Sequence, residues 1–349
     1  VSGEDSLRIR EAEEAARAVL PPGAHDFYAA GADEELTLGE AERSWRTRRF
    51  LPRVLRDVSH VDTSLDLLGT RLSAPVLAAP TAFHTMAHPD GEVATASGLA
   101  RAGSLLVLSS RATRPVEEVA AVAGPWWYQV YVLRDRELTA RQVERAVAAG
   151  ARALVLTVDA PYVAHKPRVR IPLPLPAADP LARAVGVDTR TRDWEQDPSI
   201  GPDAIGRLAG LSGLPVLVKG VLRADDAKMC VDAGAAGVIV SNHGGRQLDR
   251  AVSTASALPH VARAVGDTVP VLVDGGIRTG ADILTALALG ARAVLVGRPV
   301  LWALATGGSD AVRELFTDYR GRLSEAMALA GVASLGDIGP DLLAGPPAY

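Results

Sequence analysis

Residues 269–299 read VPVLVDGGIRTGADILTALALGARAVLVGRP. A run of Val and Leu ends on an aspartate and a Gly-Gly turn. An Ala- and Leu-rich segment with helical spacing follows, and a second apolar run begins just after Leu289-Gly290. Apolar runs bounded by turn residues suit strands buried on both faces, and strands that alternate with helices form a parallel sheet.

Working outward, the same unit recurs from Pro75 onward. Eight runs are visible: PVLAAPTA (75–82), SLLVLSS (104–110), WWYQVYV (126–132), ARALVLTVD (151–159), LPVLVKG (214–220), AAGVIVSN (235–242), VPVLVDGG (269–276) and ARAVLVGR (291–298). Eight β-α units close an α/β (β/α)8 TIM barrel. Ala149-Gly150, Ala233-Gly234 and Leu289-Gly290 stand where helices should stop, and glycine just past a helix end is the usual left-handed cap. These short loops mark the stability face, so chemistry is expected on the opposite one.

The chain has 349 residues, 48% of them hydrophobic, which is enough for one such domain spanning 1–349. The barrel is assigned to 75–308, and 1–74 to an N-terminal helical cover over its bottom or flank. Residues 309–349 are read as a closing helix, Ser309 to Gly331, and a tail. The stretch 160–201, after the fourth run, is rich in proline and too long for an ordinary connection, so it reads as a lid loop.

The net charge is −4, with 37 basic residues scattered among 41 acidic ones, which argues against a nucleic-acid partner. No run approaches the roughly 18 apolar residues of a membrane span. Val1 to Leu20 is a charged helical pattern rather than a signal segment, so no membrane partner and a cytoplasmic location are expected. The single cysteine, Cys230, has no disulfide or zinc partner and reads as a small buried apolar residue, and no metal is expected. Three of the 37 basic residues are lysines, Lys166, Lys219 and Lys228. In a chain that otherwise uses arginine, a compact ammonium suggests a chemical reason.

The strand endings are polar throughout: Thr81-Ala82, Ser109-Ser110, Gln129 and Tyr131, Thr157 and Asp159, Lys219, Ser241-Asn242-His243, Asp274 to Arg278, and Gly297-Arg298. The loops after strands seven and eight of such a barrel are its common phosphate site. Gly275, Gly276 and Gly297 would let backbone N–H groups approach an anion that Arg278 and Arg298 could grip. His243 stands between a strand end and a Gly-Gly turn, with Arg246 three residues on, a placement suited to proton transfer beside a bidentate carboxylate clamp. His84, His88, His165 and His260 have weaker claims, and His25 reads as a surface residue.

Several blocks together resemble the FMN-dependent 2-hydroxy acid oxidase and dehydrogenase family of glycolate, lactate and mandelate oxidisers. They are DFYAAGADEELTL, APTAFHTMAHPDGE, LSSRAT, YQVYVLRDR, LVLTVDAP, LPVLVKGV, GVIVSNHGGRQLD, VLVDGGIRTGADILTALALGA and VLVGRP. The resemblance runs from about Asp26 to about Leu335. It implies FMN as cofactor, His243 as the base, Asp159 as the group that stabilises its imidazolium, and Tyr131 as a hydrogen bond to the substrate oxygen. It further implies that Lys219 sits beside the flavin N1–C2=O edge, and that Thr81, Ala82, Ser109, Gln129, Thr157 and Ser241 hold the ring. Asp274 would bind the ribityl chain, and Gly276, Arg278, Gly297 and Arg298 the phosphate. Tetramers are common in the family, so a homo-oligomer is expected.

Three departures bear on the substrate. Lys166 stands where the family has a second carboxylate-binding arginine, with Arg168 and Arg170 nearby as substitutes. Phe27 replaces a tyrosine, and Arg111 a bulky aromatic. They leave open a free aromatic or bulky, mandelate-like 2-hydroxy acid and a modified substrate such as an ester, a carrier-bound acid or an amine. Without a haem domain or an apolar lid segment, dioxygen is the expected acceptor, with a 2-keto acid and hydrogen peroxide as products. A non-redox FMN isomerase or a silent flavin-binding protein are remote alternatives.

Overall fold

The computed structural model describes residues 2–170 and 193–344. After a hairpin of β1 (Leu65–Leu67) and β2 (Thr70–Leu72), the barrel strands are β3 (Val76–Ala78), β4 (Leu106–Ser109), β5 (Trp126–Val130), β6 (Leu154–Thr157), β7 (Val216–Val221), β8 (Gly237–Val240), β9 (Val271–Val273) and β10 (Ala293–Val296). They follow one another around the barrel, and β10 closes on β3 in parallel, with Val294 opposite Val76. All eight expected runs are barrel strands.

Their unbroken apolar character has a direct cause, because each strand feeds two cores with period two. Leu77, Val107, Trp127, Val155, Leu217, Ile239, Leu272 and Leu295 fill the interior. Their neighbours Ala78, Leu108, Tyr128, Leu156, Val218, Val240, Val273 and Val296 face the surrounding helices. Those helices start where side chains satisfy free backbone N–H groups, as at Asp135, Ser253 and the Thr279–Asp282 capping box. Gly150, Gly234 and Gly290 follow helix ends with φ of 93°, 96° and 101°, in keeping with their reading as stops.

The N-terminal segment departs from expectation in two ways. It is helical in α1 (Ser2–Val19), α2 (Pro22–Ala29) and α3 (Leu36–Arg46), but β1 and β2 form an antiparallel hairpin turned at Leu68 and Gly69, both at positive φ. This hairpin, not a helix, plugs the bottom: Leu65, Leu67 and Leu72 belong to the interior cluster, and Arg292, at the start of β10, donates to Asp66 O. Helices α2 and α3 lie at the opposite end. Tyr28 Oη donates to Phe83 O just beyond β3, and Trp45 Nε1 donates to Gly275 O just beyond β9. His25 is a third correction, because it is buried and stacks on Trp302 at 5.4 Å.

The last helix, α11 (Arg298–Leu329), starts at the end of β10 rather than at Ser309, and bends where Gly307 and Gly308 leave helical geometry. That bend coincides with the expected boundary at 308. Gly98 of α4 (Gly91–Ala102) abuts it so closely that a Cβ would lie 2.5 Å from Ser309 O. Cys230 is buried, as expected. Among the described residues, no helix is long and apolar enough to cross a membrane.

Because the hairpin seals the barrel interior, Leu67→Ala is expected to lower the unfolding free energy by about 2–5 kcal/mol. Denaturant titration checks this. A loss well below that range would mean that the hairpin is not part of the folding core.

Candidate active site

The C-terminal ends of the strands open into a cavity of about 740 Å³. It is walled by α2 and by the two described flanks of the long loop, 160–167 with Val169 and 194–196. The middle of the expected lid, 171–192, lies outside the described residues. Its return is stitched to the strand 5 extension, where Leu133 bridges Gln196 and Asp197 N donates to Val132 O.

Beyond β8 the chain curls through three successive left-handed residues, His243 (φ 57°), Gly244 (64°) and Gly245 (74°). Only the first carries a Cβ, at a cost of about 1–2 kcal/mol in that region. The curl places His243 Nδ1 2.9 Å from Asp159 Oδ1. Burial raises the Asp159 carboxyl, but the charge and hydrogen bond of His243, with Lys219, outweigh it and hold the pKa below the usual carboxylate range. Gly220, at φ 110°, makes room, since a Cβ there would lie 2.6 Å from Asp159 Cβ. The sequence reading passed over Gly220 although it directly follows Lys219.

Lys219 Nζ donates to Ser241 Oγ and pairs with Asp274 Oδ2, each at 2.8 Å. Burial opposes its charge, yet Asp274 and Asp159 more than compensate and raise its pKa above the ordinary value. Ser241 Oγ also accepts from His243 N, which ties the lysine to the histidine turn. Burial first, and Asp159 second, push the Tyr131 phenol up to about 12, so it remains a donor near neutrality.

Arg246 lies 5.2 Å from the centre of the Phe27 ring, and its Nη1 donates to Tyr28 O and Ala30 O at the end of α2. Arg298 Nε donates to Tyr28 O and its Nη2 to Gly244 O. A helix C-terminus carries partial negative charge, so α2 presents carbonyls where two guanidinium groups meet. Arg278 pairs with Glu42 of α3 at 3.1 Å. Burial pushes Arg246 down to about 10, and burial followed by Arg246 and Arg278 pushes Arg298 down to about 9. Both remain cations at neutral pH, and the mouth concentrates positive charge suited to anions. Beside them Gly276 sits at φ 77°, where a Cβ would lie 2.2 Å from Ala41 O, while a Cβ on Gly297 would meet nothing closer than 3.5 Å. The partners Tyr28, Ala30, Ala41 and Glu42 escaped the sequence reading because backbone carbonyls and a surface-type glutamate carry no motif.

Lys166 lines the cavity and donates to Ala164 O at 3.0 Å. Burial, then the nearby Arg246, push its pKa down to about 8. The suggested substitutes do not join it: Arg168 is paired with Glu35 at 2.8 Å, Arg170 is exposed, and neither lines the cavity. Arg111 does line it, donating to Trp194 O and lying 5.6 Å from the Trp194 ring centre.

Around the floor, Ser109 Oγ and Ser110 N both donate to Gln129 Oε1, which turns Gln129 Nε2 away without a partner. Thr157 Oγ1, Asp159 Oδ2 and Asp274 Oδ1 are likewise buried and unpaired among the described residues. Native folds seldom leave such atoms unsatisfied, and the unpaired Asp274 Oδ1, whose residue lines the cavity, suits a polar ligand there. Thr81 Oγ1 contacts His84 Nε2 at 2.5 Å, and His84 Nδ1 contacts Thr95, so His84 braces the strand 3 loop from beneath. His88, His165 and His260 do not join the dyad.

The family described as FMN-dependent dehydrogenase matches residues 16–345. An L-lactate oxidase of Nostoc sp. is 42% identical over 97% of this chain and 98% of its own. Glycolate oxidase 1 of Oryza sativa subsp. indica is 41% identical over 95% and 93%. A solved mandelate oxidase with (S)-4-hydroxymandelic acid superposes with a TM-score of 0.88 at 38% identity, covering 96% of this chain and 98% of that one.

Lys166 attracts an anion only while protonated, below about 8, and that attraction is lost as pH rises through the value. Calorimetric binding of a small carboxylate is therefore expected to weaken above pH 8, and Lys166→Arg to remove that weakening. Wild-type affinity that stays flat with pH would place residue 166 away from the anion.

Proposed function

Because the chain belongs to the FMN-dependent dehydrogenase family, we propose that it oxidises the hydroxyl-bearing carbon of a bulky or aromatic 2-hydroxy acid to the 2-keto acid, with dioxygen as final acceptor and hydrogen peroxide as second product. The observation that carries this reading is the His243–Asp159 contact at 2.9 Å, set in a cavity also lined by Tyr131 and Arg246. The acceptor is supported by relatives named as oxidases.

The donor set fits FMN. The Ser109 hydroxyl and the backbone at Thr81-Ala82 line the cavity and suit the polar edge of an isoalloxazine, with Gln129 Nε2 unpaired behind Ser109, whereas Thr157 borders a neighbouring cavity. Asp274 Oδ1 suits ribityl hydroxyls, and Gly276, Gly297, Arg278 and Arg298 suit a phosphate. Bound there, FMN supplies the two-electron sink. Lys219, fixed by Asp274 and Ser241, supplies the cation that stabilises an electron-rich ring.

The protein's own steps follow from placement. With Nδ1 committed to Asp159, His243 Nε2 takes the substrate proton, and the carboxylate stabilises the imidazolium. Tyr131, protonated up to about 12, donates to the substrate oxygen. Arg246 holds the carboxylate, with Lys166 as a weaker second cation. Phe27, Phe83, Tyr162 and Trp194 also line the cavity and give a large side chain aromatic surface to pack against.

A second reading, the same chemistry on an ester, a carrier-bound acid or an amine, is favoured by one observation. Lys166 offers a point charge, tied to Ala164 O and pushed down to about 8, where a guanidinium fork would clamp a free carboxylate.

The test is anaerobic addition of (S)-mandelate to the purified flavoprotein. The visible flavin bands are expected to bleach. His243→Ala is expected to keep its flavin while losing about a thousandfold in bleaching rate. Near-normal reduction by the variant would remove His243 from the mechanism, and persistence of the wild-type bands would move the assignment to the modified substrates.

A further inference from the structure

A second cavity, of about 200 Å³, lies behind Tyr131. It adjoins the main one, since Tyr131, Ala160, Pro161 and Gln196 line both. From there it runs between the outer faces of β6 and β7 and the loop ending at α7 (Asp203–Ser212), and reaches Met229 of α8 (Ala224–Asp232). Met229 is 44% exposed, so this end meets solvent.

The walls are mainly hydrocarbon and sulfur, among them Val132, Leu156, Ile200, Ile205, Val218 and Cys230. The one carboxylate in the lining, Asp197, is engaged by Ser199 N, Ser199 Oγ and Arg136. The Thr157 hydroxyl is buried and unpaired. With Thr157, Gln196, Asp197 and Tyr131 as its polar side chains, the rest of the lining is hydrocarbon and sulfur, and a mainly apolar cavity favours small apolar molecules over charged ones. A 2-hydroxy acid anion suits the cationic main mouth beside Arg246 and Lys166 and is excluded here by the cost of burying its charge. Dioxygen is the only small apolar reactant in the proposed chemistry.

We propose that this cavity is a dioxygen-binding antechamber that feeds the active site past Tyr131 from the side opposite the substrate mouth. The proposal rests on the reading of dioxygen as acceptor. Dioxygen takes up the two electrons removed from the substrate, together with two protons, and leaves as hydrogen peroxide. A separate entrance lets it arrive while an organic acid still occupies the main mouth.

The test compares half-reactions of the flavin-loaded protein. Cys230→Leu and Ile205→Phe fill the cavity without touching the substrate mouth. Each is expected to slow reoxidation by dioxygen about fivefold or more. Anaerobic reduction by substrate and reoxidation by the bulky dye dichlorophenolindophenol should stay at wild-type rates. Wild-type dioxygen rates in either folded variant would overturn the proposal. Xenon under pressure gives an independent readout on the unaltered protein: an atom bound beside Cys230 is expected, and an empty cavity overturns the proposal even if neither variant folds. If the reduced wild type reacts with the dye but not with dioxygen, the acceptor reading itself fails, and the proposal with it, before any variant is compared.

Discussion

One buried ammonium organises the mouth of this barrel. Lys219 ends the interior run of β7, where both side-chain faces are otherwise hydrocarbon, and its charge survives there only because Asp274 lies 2.8 Å away and Asp159 nearby. Removing one partner of such a pair leaves an uncompensated buried charge, at a cost of about 3–5 kcal/mol. The constraint spreads outward. Asp274 stands at the start of the Gly275-Gly276 turn, Ser241 is held by the ammonium and in turn holds the His243 backbone, and Asp159 Oδ1 meets the His243 ring. Four strand ends are thus set relative to one another by electrostatics rather than by loop conformation, as a preorganised site requires.

The second organising feature is a division of labour between the two ends of the barrel. The hairpin at 65–72 closes the bottom with leucines, so the interior is apolar and the charges above it act in a low-dielectric setting. Helices α2 and α3 close the top with polar backbone. The Asp249 carboxylate accepts from Leu36 N and Thr37 N at the start of α3, so the segment carrying His243 and Arg246 also anchors the helix that covers the phosphate-type loop. Chain distant in sequence is therefore fastened to the site by the site's own motif.

This explains what the sequence did and did not disclose. The barrel was legible because its eight strands read as continuous apolar runs and glycines such as Gly150, Gly234 and Gly290 mark the helix ends, which are local signals. The polar strand endings were legible because a barrel allows them on its catalytic face. The location of α2 and α3 was not, because what holds them there is Arg246 reaching Tyr28 O and Ala30 O and Arg278 reaching Glu42, and none of these pairs has a spacing to read. The hairpin did leave a trace: Leu65-Asp66-Leu67 and Thr70-Arg71-Leu72 alternate on either side of Leu68-Gly69, a pattern for strand, turn and strand that a helical reading of 1–74 overlooked. His25 carried no cue, because its burial depends on Trp302, far along the chain.

The departures in the mouth share one physical character. Phe27 gives up a hydroxyl and becomes the face over which Arg246 lies, so the guanidinium exchanges a possible polar partner for a flat ring. Arg111 lies against Trp194 and donates to its carbonyl, which fixes the returning end of the long loop as a wall. Lys166 leaves a point charge where a fork would dictate orientation. If the cavity takes the proposed 2-hydroxy acid, each change weakens directional recognition of its carboxylate and strengthens flat, apolar contact around it. Under the proposed function, a site altered in this way would tolerate variation at the carboxyl end and select on the shape and bulk of the remainder. On that reading selectivity would depend on the space between Phe27 and Trp194, while His243 would be independent of it, because its position comes from Asp159, Ser241 and Lys219 and none of those groups belongs to the altered wall.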